Sequence, residues 1–221
     1  MKTSAPTDGT RSIHDLYAEG LRYFMGQGDL NGALARLADD LRRHGIDYMV
    51  IGAVALMAHG YPRFTEDIDL VLTAEGLDAF HRELVGVGYA PAFEGARKRL
   101  RATREGVPVE VITAGDYPGD GRPKPVSFPD PAGASTEIQG VRVVTMEKLV
   151  ELKLASGMTA PDRLKDLADV QELIKVRRLG ADFAERLDPY VREEYLRLWR
   201  AVERGREHRG ESAGGTRDTD I

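Results

Sequence analysis

The sequence predicts an α/β (α+β) fold, in which a mixed sheet flanked by helices is followed by a helical C-terminal subdomain. Three observations predict it. Short apolar strands alternate with amphipathic helical segments from residue 29 to 112, a proline-rich stretch at 113–135 interrupts them, and only helical patterning follows from Met146. Residues 12–144 are read as the mixed core and 145–207 as the helical subdomain. The polar, glycine-bearing ends at 1–11 and 208–221 are expected to be disordered.

The elements follow in chain order. Asp29 to His44 carries Leu30, Ala33, Leu34, Leu37 and Leu41 at helical spacing, and Gly45 is placed to end the helix. Asp47 to Ile51 reads as a short buried strand, broken by Gly52, and Ala53 to His59 as a short helix that the Gly60-Tyr61-Pro62 turn closes. Asp67 to Leu72 alternates Asp67, Asp69 and Val71 against Ile68, Leu70 and Leu72, which is strand periodicity. Ala74 to Gly88 has a stripe of Leu77, Phe80, Leu84 and Val87 and reads as a helix packed on the sheet. Lys98 to Arg104 and Val107 to Ile112 flank Glu105-Gly106, a candidate two-residue hairpin turn. Prolines 118, 123, 125, 129 and 131 mark 113–135 as an irregular surface loop, and a small hairpin is expected at Gln139-Gly140. Helices are expected at about 146–156, 161–176, 181–187 and 189–206.

Composition bounds the chemistry. Apolar residues make up 42% of the 221 and charged residues 30%, and 31 Lys+Arg against 36 Asp+Glu leave a net charge of −5. Such a chain folds as an ordinary globule and does not coat nucleic acid indiscriminately, although a local basic cleft is compatible with it. Zero cysteines exclude disulfides, thiolate metal sites and a cysteine nucleophile. The five histidines, at 14, 44, 59, 81 and 208, fall at no metal-ligand spacing, so zinc is not expected. No apolar run is long enough to span a bilayer, so no membrane association is expected, and residues 1–11 lack the apolar core of a signal peptide, so the expected compartment is the cytoplasm.

The chemistry concentrates in carboxylates. Asp67-Ile68-Asp69 puts two acids on one strand face about 7 Å apart, and two like charges between apolar neighbours repel unless a cation sits by them. Asp218-Thr219-Asp220 has the same spacing in the polar tail and no such context. Val109-Glu110-Val111 drops a third acid into an apolar strand. Three acids facing one cleft suit two Mg²⁺ ions, which activate an attacking oxygen and neutralise a transferring phosphoryl group. With a two-residue turn at 105–106, Arg101 lies opposite Glu110 and Arg99 points to the same face, either as salt bridges or as phosphate contacts. Five basic residues between Arg97 and Arg104 make the one dense positive cluster and suit a polyanionic substrate. Gly52 stands where a strand hands over to a helix, where bare backbone N–H groups face a phosphate or merely turn the chain. Lys153 sits in the middle of an apolar helical stripe of Met146, Leu149, Val150 and Leu154, and it either snorkels or points into the cleft. On the next helix, Arg163 lies on the apolar flank, Asp166 at the border, and Lys165 with Asp169 on the polar side as an ordinary ion-paired face.

Ile51-Gly52-Ala53, Asp67-Ile68-Asp69-Leu70 and Val109-Glu110-Val111, in this order, resemble the signature of the polymerase-beta-like nucleotidyltransferase superfamily. Tyr48 to Leu72, with Gly60, Pro62-Arg63 and Thr65-Glu66-Asp67, looks like the minimal bacterial members, which include abortive-infection toxins and antibiotic-modifying enzymes. Lys153 and the run Arg163 to Asp169 look like the helical segment after their core, so the resemblance covers residues 30–175. It implies a nucleotidyltransferase-like fold and Mg²⁺-dependent transfer of a nucleoside monophosphate from an NTP to a hydroxyl. The implied metal ligands and catalytic acids are Asp67, Asp69 and Glu110, with two Mg²⁺ held between them. The implied nucleotide contacts are Gly52, Ala53, Arg63, Thr65, Lys153, Arg99 and Arg101. Two positions differ from the family pattern: Ala53 replaces a glycine or serine, and Glu110 reaches a methylene further than the commoner aspartate. The acceptor classes are tRNA or other RNA, a protein, and a small molecule, and an antitoxin protein is a candidate partner. The alternative is a non-catalytic nucleotide- or partner-binding protein that keeps the fold. A metal-dependent phosphodiesterase or a glycosyltransferase fits less well, given the scattered histidines and the Gly52 turn.

Overall fold

A computed structural model describes residues 29–214, with side chains through His208. Of the expected disordered ends at 1–11 and 208–221, the first and the part of the second from 215 on, with the Asp218/Asp220 pair, lie outside the described residues. The elements are α1 (Asp29–Arg43), β1 (Tyr48–Val50), α2 (Gly52–Ala58), β2 (Ile68–Leu72), α3 (Ala74–Glu83), β3 (Tyr89–Pro91), β4 (Arg99–Ala102) and β5 (Pro108–Thr113). They continue with α4 (Pro131–Ala134), β6 (Ser135–Ile138), β7 (Val141–Val144), α5 (Met146–Thr159), a 3₁₀ turn (Pro161–Arg163), α6 (Leu164–Arg177), a second 3₁₀ turn (Ala181–Arg186) and α7 (Pro189–Gly214). The last helix thus continues past the expected boundary at 207. No helix of the described residues is long and apolar enough to cross a membrane.

The strands form one seven-stranded mixed sheet in the order β3-β4-β5-β2-β1-β7-β6. β2 runs parallel to β5 and β1 parallel to β7, and the remaining pairs are antiparallel. Alternation along the strands feeds two cores. Tyr48, Val50, Ile68, Leu70, Leu72, Val109 and Val111 point to the face covered by α1 and α3, through Leu30, Leu37, Leu41, Leu77 and Phe80. Met49, Val71 and Val144 point the other way and share a core with Leu149, Leu154, Val170, Leu173, Val191 and Tyr195 of α5, α6 and α7. The boundary between residues 144 and 145 therefore lies inside a common core.

Several expectations change in detail. α3 ends at Glu83 and not near Gly88, because Gly86 and Gly88 take left-handed φ of 88° and 117°, and Val87 is left 75% exposed. Its start is capped as a helix start should be, with Gly76 N–H donating to Thr73 Oγ1 at 2.9 Å. The β4–β5 loop is four residues, Thr103 to Gly106. Ala102 N–H donates to Val107 O, Gly106 N–H donates to Ala102 O, and Gly106 has a φ of 71°. Lengthening the loop from two residues to four slides the register, so Arg99 and not Arg101 faces Glu110, and Arg101 faces Pro108. β3 was not expected, since three residues ending in proline carry little strand signal, and proline is tolerated at this sheet edge. The expected Gln139-Gly140 hairpin forms with φ of 51° and 79°. α5 is buried on nearly every side, and even Glu151 is covered. Its carboxylate accepts from Asp188 N–H at 2.8 Å and from Lys148 Nζ at 2.6 Å.

Candidate active site

The parallel pairing of β2 with β5 sets Asp69 directly across from Glu110. Their neighbours, Ile68 with Val109 and Leu70 with Val111, pair toward the opposite core, so both acids share the other face by strand geometry alone. Asp67 lies just ahead of β2, where Thr65 Oγ1 donates a hydrogen bond to its Oδ1. Burial, then the charges of Asp67 and Glu110, push the Asp69 carboxyl up to about 6, against the opposing pull of Lys153 and Lys165.

Gly52 is placed by the same strands. It opens α2 with a φ of 65°, and Ile51 N–H donates to the Asp69 carbonyl at 2.9 Å. A Cβ on Gly52 would stand 1.9 Å from Asp69 Oδ2. Only glycine lets backbone lie this close to the acid and turn left-handed there.

Around these acids lies a cavity of about 850 Å³, within the range of small-ligand sites. Its wall includes Ile51, Gly52 and Ala53 at the β1–α2 turn, Arg63 and Thr65 from the loop before β2, and Lys98 and Arg99 from β4. Lys153 and Ser156 of α5, Arg163 of the 3₁₀ turn, Lys165 and Asp166 of α6, and the Gly115 to Gly119 stretch complete it. That last stretch is pinned, since Phe128 N–H donates to Asp116 O at 2.8 Å and Lys98 Nζ pairs with Asp116 Oδ2 at 2.7 Å. Its Gly119 packs on the end of α5, where a Cβ would be 2.3 Å from Thr159 Oγ1.

Lys153 does not snorkel. Its ammonium is buried and donates to Asp166 Oδ1 at 2.9 Å and Asp169 Oδ2 at 2.8 Å. Ser156 Oγ donates to the other Asp166 oxygen at 2.7 Å, and Arg63 donates to Asp169 Oδ2 at 2.9 Å. Burial alone would raise Asp166, yet Lys153, Ser156 and Arg163 hold its carboxyl below the usual range. The expectation that Asp169 pairs with Lys165 on a solvated face is therefore corrected. Asp169 turns inward to Lys153, and Lys165 borders the cavity instead.

Gly52, Ala53, Arg63, Thr65, Asp67, Asp69, Arg99, Glu110 and Lys153 all line this one cavity. Arg101 does not reach it, and its guanidinium donates to Gly106 O at 2.5 Å in the hairpin loop. Sequence reasoning missed Lys98, Ser156 and Lys165 as lining residues. Among the described residues, no group of three or more histidines or acids stands in ready ligand positions. The donor chemistry nevertheless fits a hard divalent cation. Asp67, Asp69 and Glu110 offer carboxylate oxygens on one cavity, and the burial of Asp69 together with the repulsion of Asp67 and Glu110, which raise its carboxyl, is what a cation offsets.

No protein-family model matches the chain, and a search of curated proteins returns no match. Solved structures do match. The solution structure of the antibiotic-resistance factor ANT(2'')-Ia superposes with a TM-score of 0.50 at 16% identity, covering 81% of this chain and 99% of that one. The same factor in complex with adenylyl-2''-tobramycin gives 0.46 at 16% identity over 79% and 95% of the two chains. An antigenic nucleotidyltransferase-like protein from Paracoccidioides brasiliensis gives 0.44 at 18% identity over 66% and 76%. At this identity the likeness is one of fold: this chain has an α/β fold like that of the antibiotic-resistance factor ANT(2'')-Ia.

Proposed function

We propose that this chain is a Mg²⁺-dependent nucleotidyltransferase that moves a nucleoside monophosphate from an NTP to a hydroxyl acceptor. The observation that carries the reading is Asp69 facing Glu110 in strand register, with the bare backbone of Gly52 against Asp69, in one cavity of about 850 Å³. The hydroxyl oxygen of the acceptor attacks the α-phosphorus, the bond from that phosphorus to the bridging oxygen breaks, and pyrophosphate leaves. Glu110 takes the hydroxyl proton, since its carboxylate stands at the open side of the acid pair with Arg99 Nε 4.0 Å away. Arg63, Lys153 and Arg99 supply positive charge to the triphosphate, and Thr65 orients Asp67. Asp67, Asp69 and Glu110 would hold Mg²⁺, which would supply charge neutralisation at the transferring phosphoryl group.

The acceptor is an RNA such as tRNA, a protein or a small molecule. The exposed row of Arg99 and Arg101 beside Glu110 supports RNA, and the likeness to an antibiotic-resistance factor supports a small hydroxyl compound. A toxin held in check by an antitoxin is the cellular role that the resemblance to abortive-infection proteins supports, and growth arrest on expression is its sign. The deciding experiment incubates the protein with each α-³²P-labelled NTP and Mg²⁺, with and without total tRNA. Label transferred by the natural protein and not by an Asp67→Ala/Asp69→Ala variant supports the reading and names the acceptor. NTP binding without any transfer to RNA, protein or aminoglycoside turns the conclusion to a non-catalytic binder.

A further inference from the structure

The loop from Tyr61 to Asp67 brings Arg63, Thr65 and Asp67 to the cavity and has no regular secondary structure of its own. It is fixed at its start by Tyr61 N–H donating to Leu56 O at 2.9 Å, and at its end by β2. Between these points Arg63 reaches across to α6 and donates to Asp169 Oδ2 at 2.9 Å. The same oxygen accepts from Lys153 Nζ at 2.8 Å, so one buried carboxylate joins the loop, α5 and α6. Asp169 is 4% exposed and is absent from the cavity wall, whereas Asp166 lines that wall and is bonded to Lys153 and Ser156.

We propose that Asp169 is a positioning residue, which locks Arg63 and the 61–67 loop into the geometry that receives the triphosphate. The proposal rests on the nucleotide reading of the cavity given above. An arginine on an irregular loop loses side-chain freedom each time it is immobilised by a ligand. Here the immobilisation is complete beforehand, because a buried carboxylate holds the guanidinium in a charge-assisted bond. The group is also balanced as it stands. Lys153 and Arg63 carry two positive charges against those of Asp166 and Asp169, so its order needs no bound anion. Asp169 acts through Arg63 and Lys153 and touches no reacting atom.

The test compares the natural protein with Asp169→Asn, Arg63→Gln, the double variant and Arg63→Lys. Two quantities are read: the dissociation constant of each of the four NTPs by calorimetry, and amide hydrogen exchange across residues 61–67. Each single variant should weaken NTP binding about tenfold, and the double variant no further than the weaker single. Exchange at 61–67 should quicken in both singles while β1 and β2 keep their protection, and Arg63→Lys should recover part of both effects. Additive losses in the double variant, or unchanged exchange at 61–67 in Asp169→Asn, overturn the proposal. If Asp169→Asn does not fold, Arg63→Gln decides it, and loop exchange matching the natural protein sinks the idea. A natural protein that binds no NTP overturns the nucleotide reading instead, and loop exchange still settles the role of Asp169.

Discussion

Replacing Gly52 by alanine tests the centre of the site with one methyl group. The added Cβ would lie 1.9 Å from Asp69 Oδ2 and 2.9 Å from its Cγ, so the carboxylate must retreat by more than about 1 Å to reach ordinary contact. Displacement on that scale at a reacting centre costs about 10²-fold in rate, which is about 2.7 kcal/mol of barrier. The φ of 65° adds a stability cost of about 1 kcal/mol for any residue with a Cβ. Gly45 provides the control. Its φ is 63° and nothing lies within 4 Å of its Cβ position, so Gly45→Ala carries the backbone cost without the collision. Labelled nucleotide transfer and urea midpoints should be measured on both variants. Both should lose stability, and only Gly52→Ala should lose kcat/KM by about 10²-fold. Transfer by Gly52→Ala within threefold of the natural protein, or an equal loss in Gly45→Ala, refutes the argument.

Other outcomes are expected from the same geometry. In metal-free protein, the Asp69 carboxyl at about 6 in place of 3.8 binds its proton more tightly folded than unfolded. Its contribution to stability is therefore full below the unfolded value and is lost as pH rises through about 6. Asp69→Asn should accordingly stabilise the chelator-treated protein above pH 6 by up to about 3 kcal/mol, with the gain vanishing near pH 4; urea titrations across pH that run flat contradict it. Lys153→Met leaves Asp166 and Asp169 short of a cation and should cost about 3 kcal/mol, seen as a fall in Tm of about 10 °C. Arg99→Ala should weaken NTP affinity severalfold while Arg101→Ala changes it by less than about twofold, because only Arg99 stands across from Glu110; calorimetry that ranks them the other way contradicts the register.

Much of the site was legible in the chain. Strand periodicity alone put Asp67 and Asp69 on one face, and a single acid between two valines put Glu110 in another strand. Gly52 was visible as a break between strand and helix, although its real constraint, the approach of Asp69, needs the β1–β2 pairing to be seen. The Arg99/Arg101 register could not be read, because two-residue and four-residue loops fit the same glutamate-glycine pair and each extra residue pair slides the partner strand. Asp169 read as part of a polar helix face with Lys165, and Asp166 as its border, because a wheel shows which residues share a side and not what that side meets. Their partner, Lys153, is on another helix. The one readable sign was the lysine itself, since an ammonium in an apolar stripe calls for buried acid nearby.

The common core under α5 bears on how this protein could be re-engineered or could diverge. One helix fills the space against Met49, Val71 and Val144 with Leu149 and Leu154, and from its neighbouring positions presents Lys153 and Ser156 to the cavity. The helical half is thus no cassette that could be exchanged to install a new acceptor, since a foreign helix would uncover the sheet and empty the cation cluster together. Freedom to change is left to the segments that border the cavity without filling the core, namely the 115–121 stretch and the exposed face of β4. If the proposed transfer holds, acceptor preference should drift there first among related chains, while α5 stays fixed by the packing it cannot abandon.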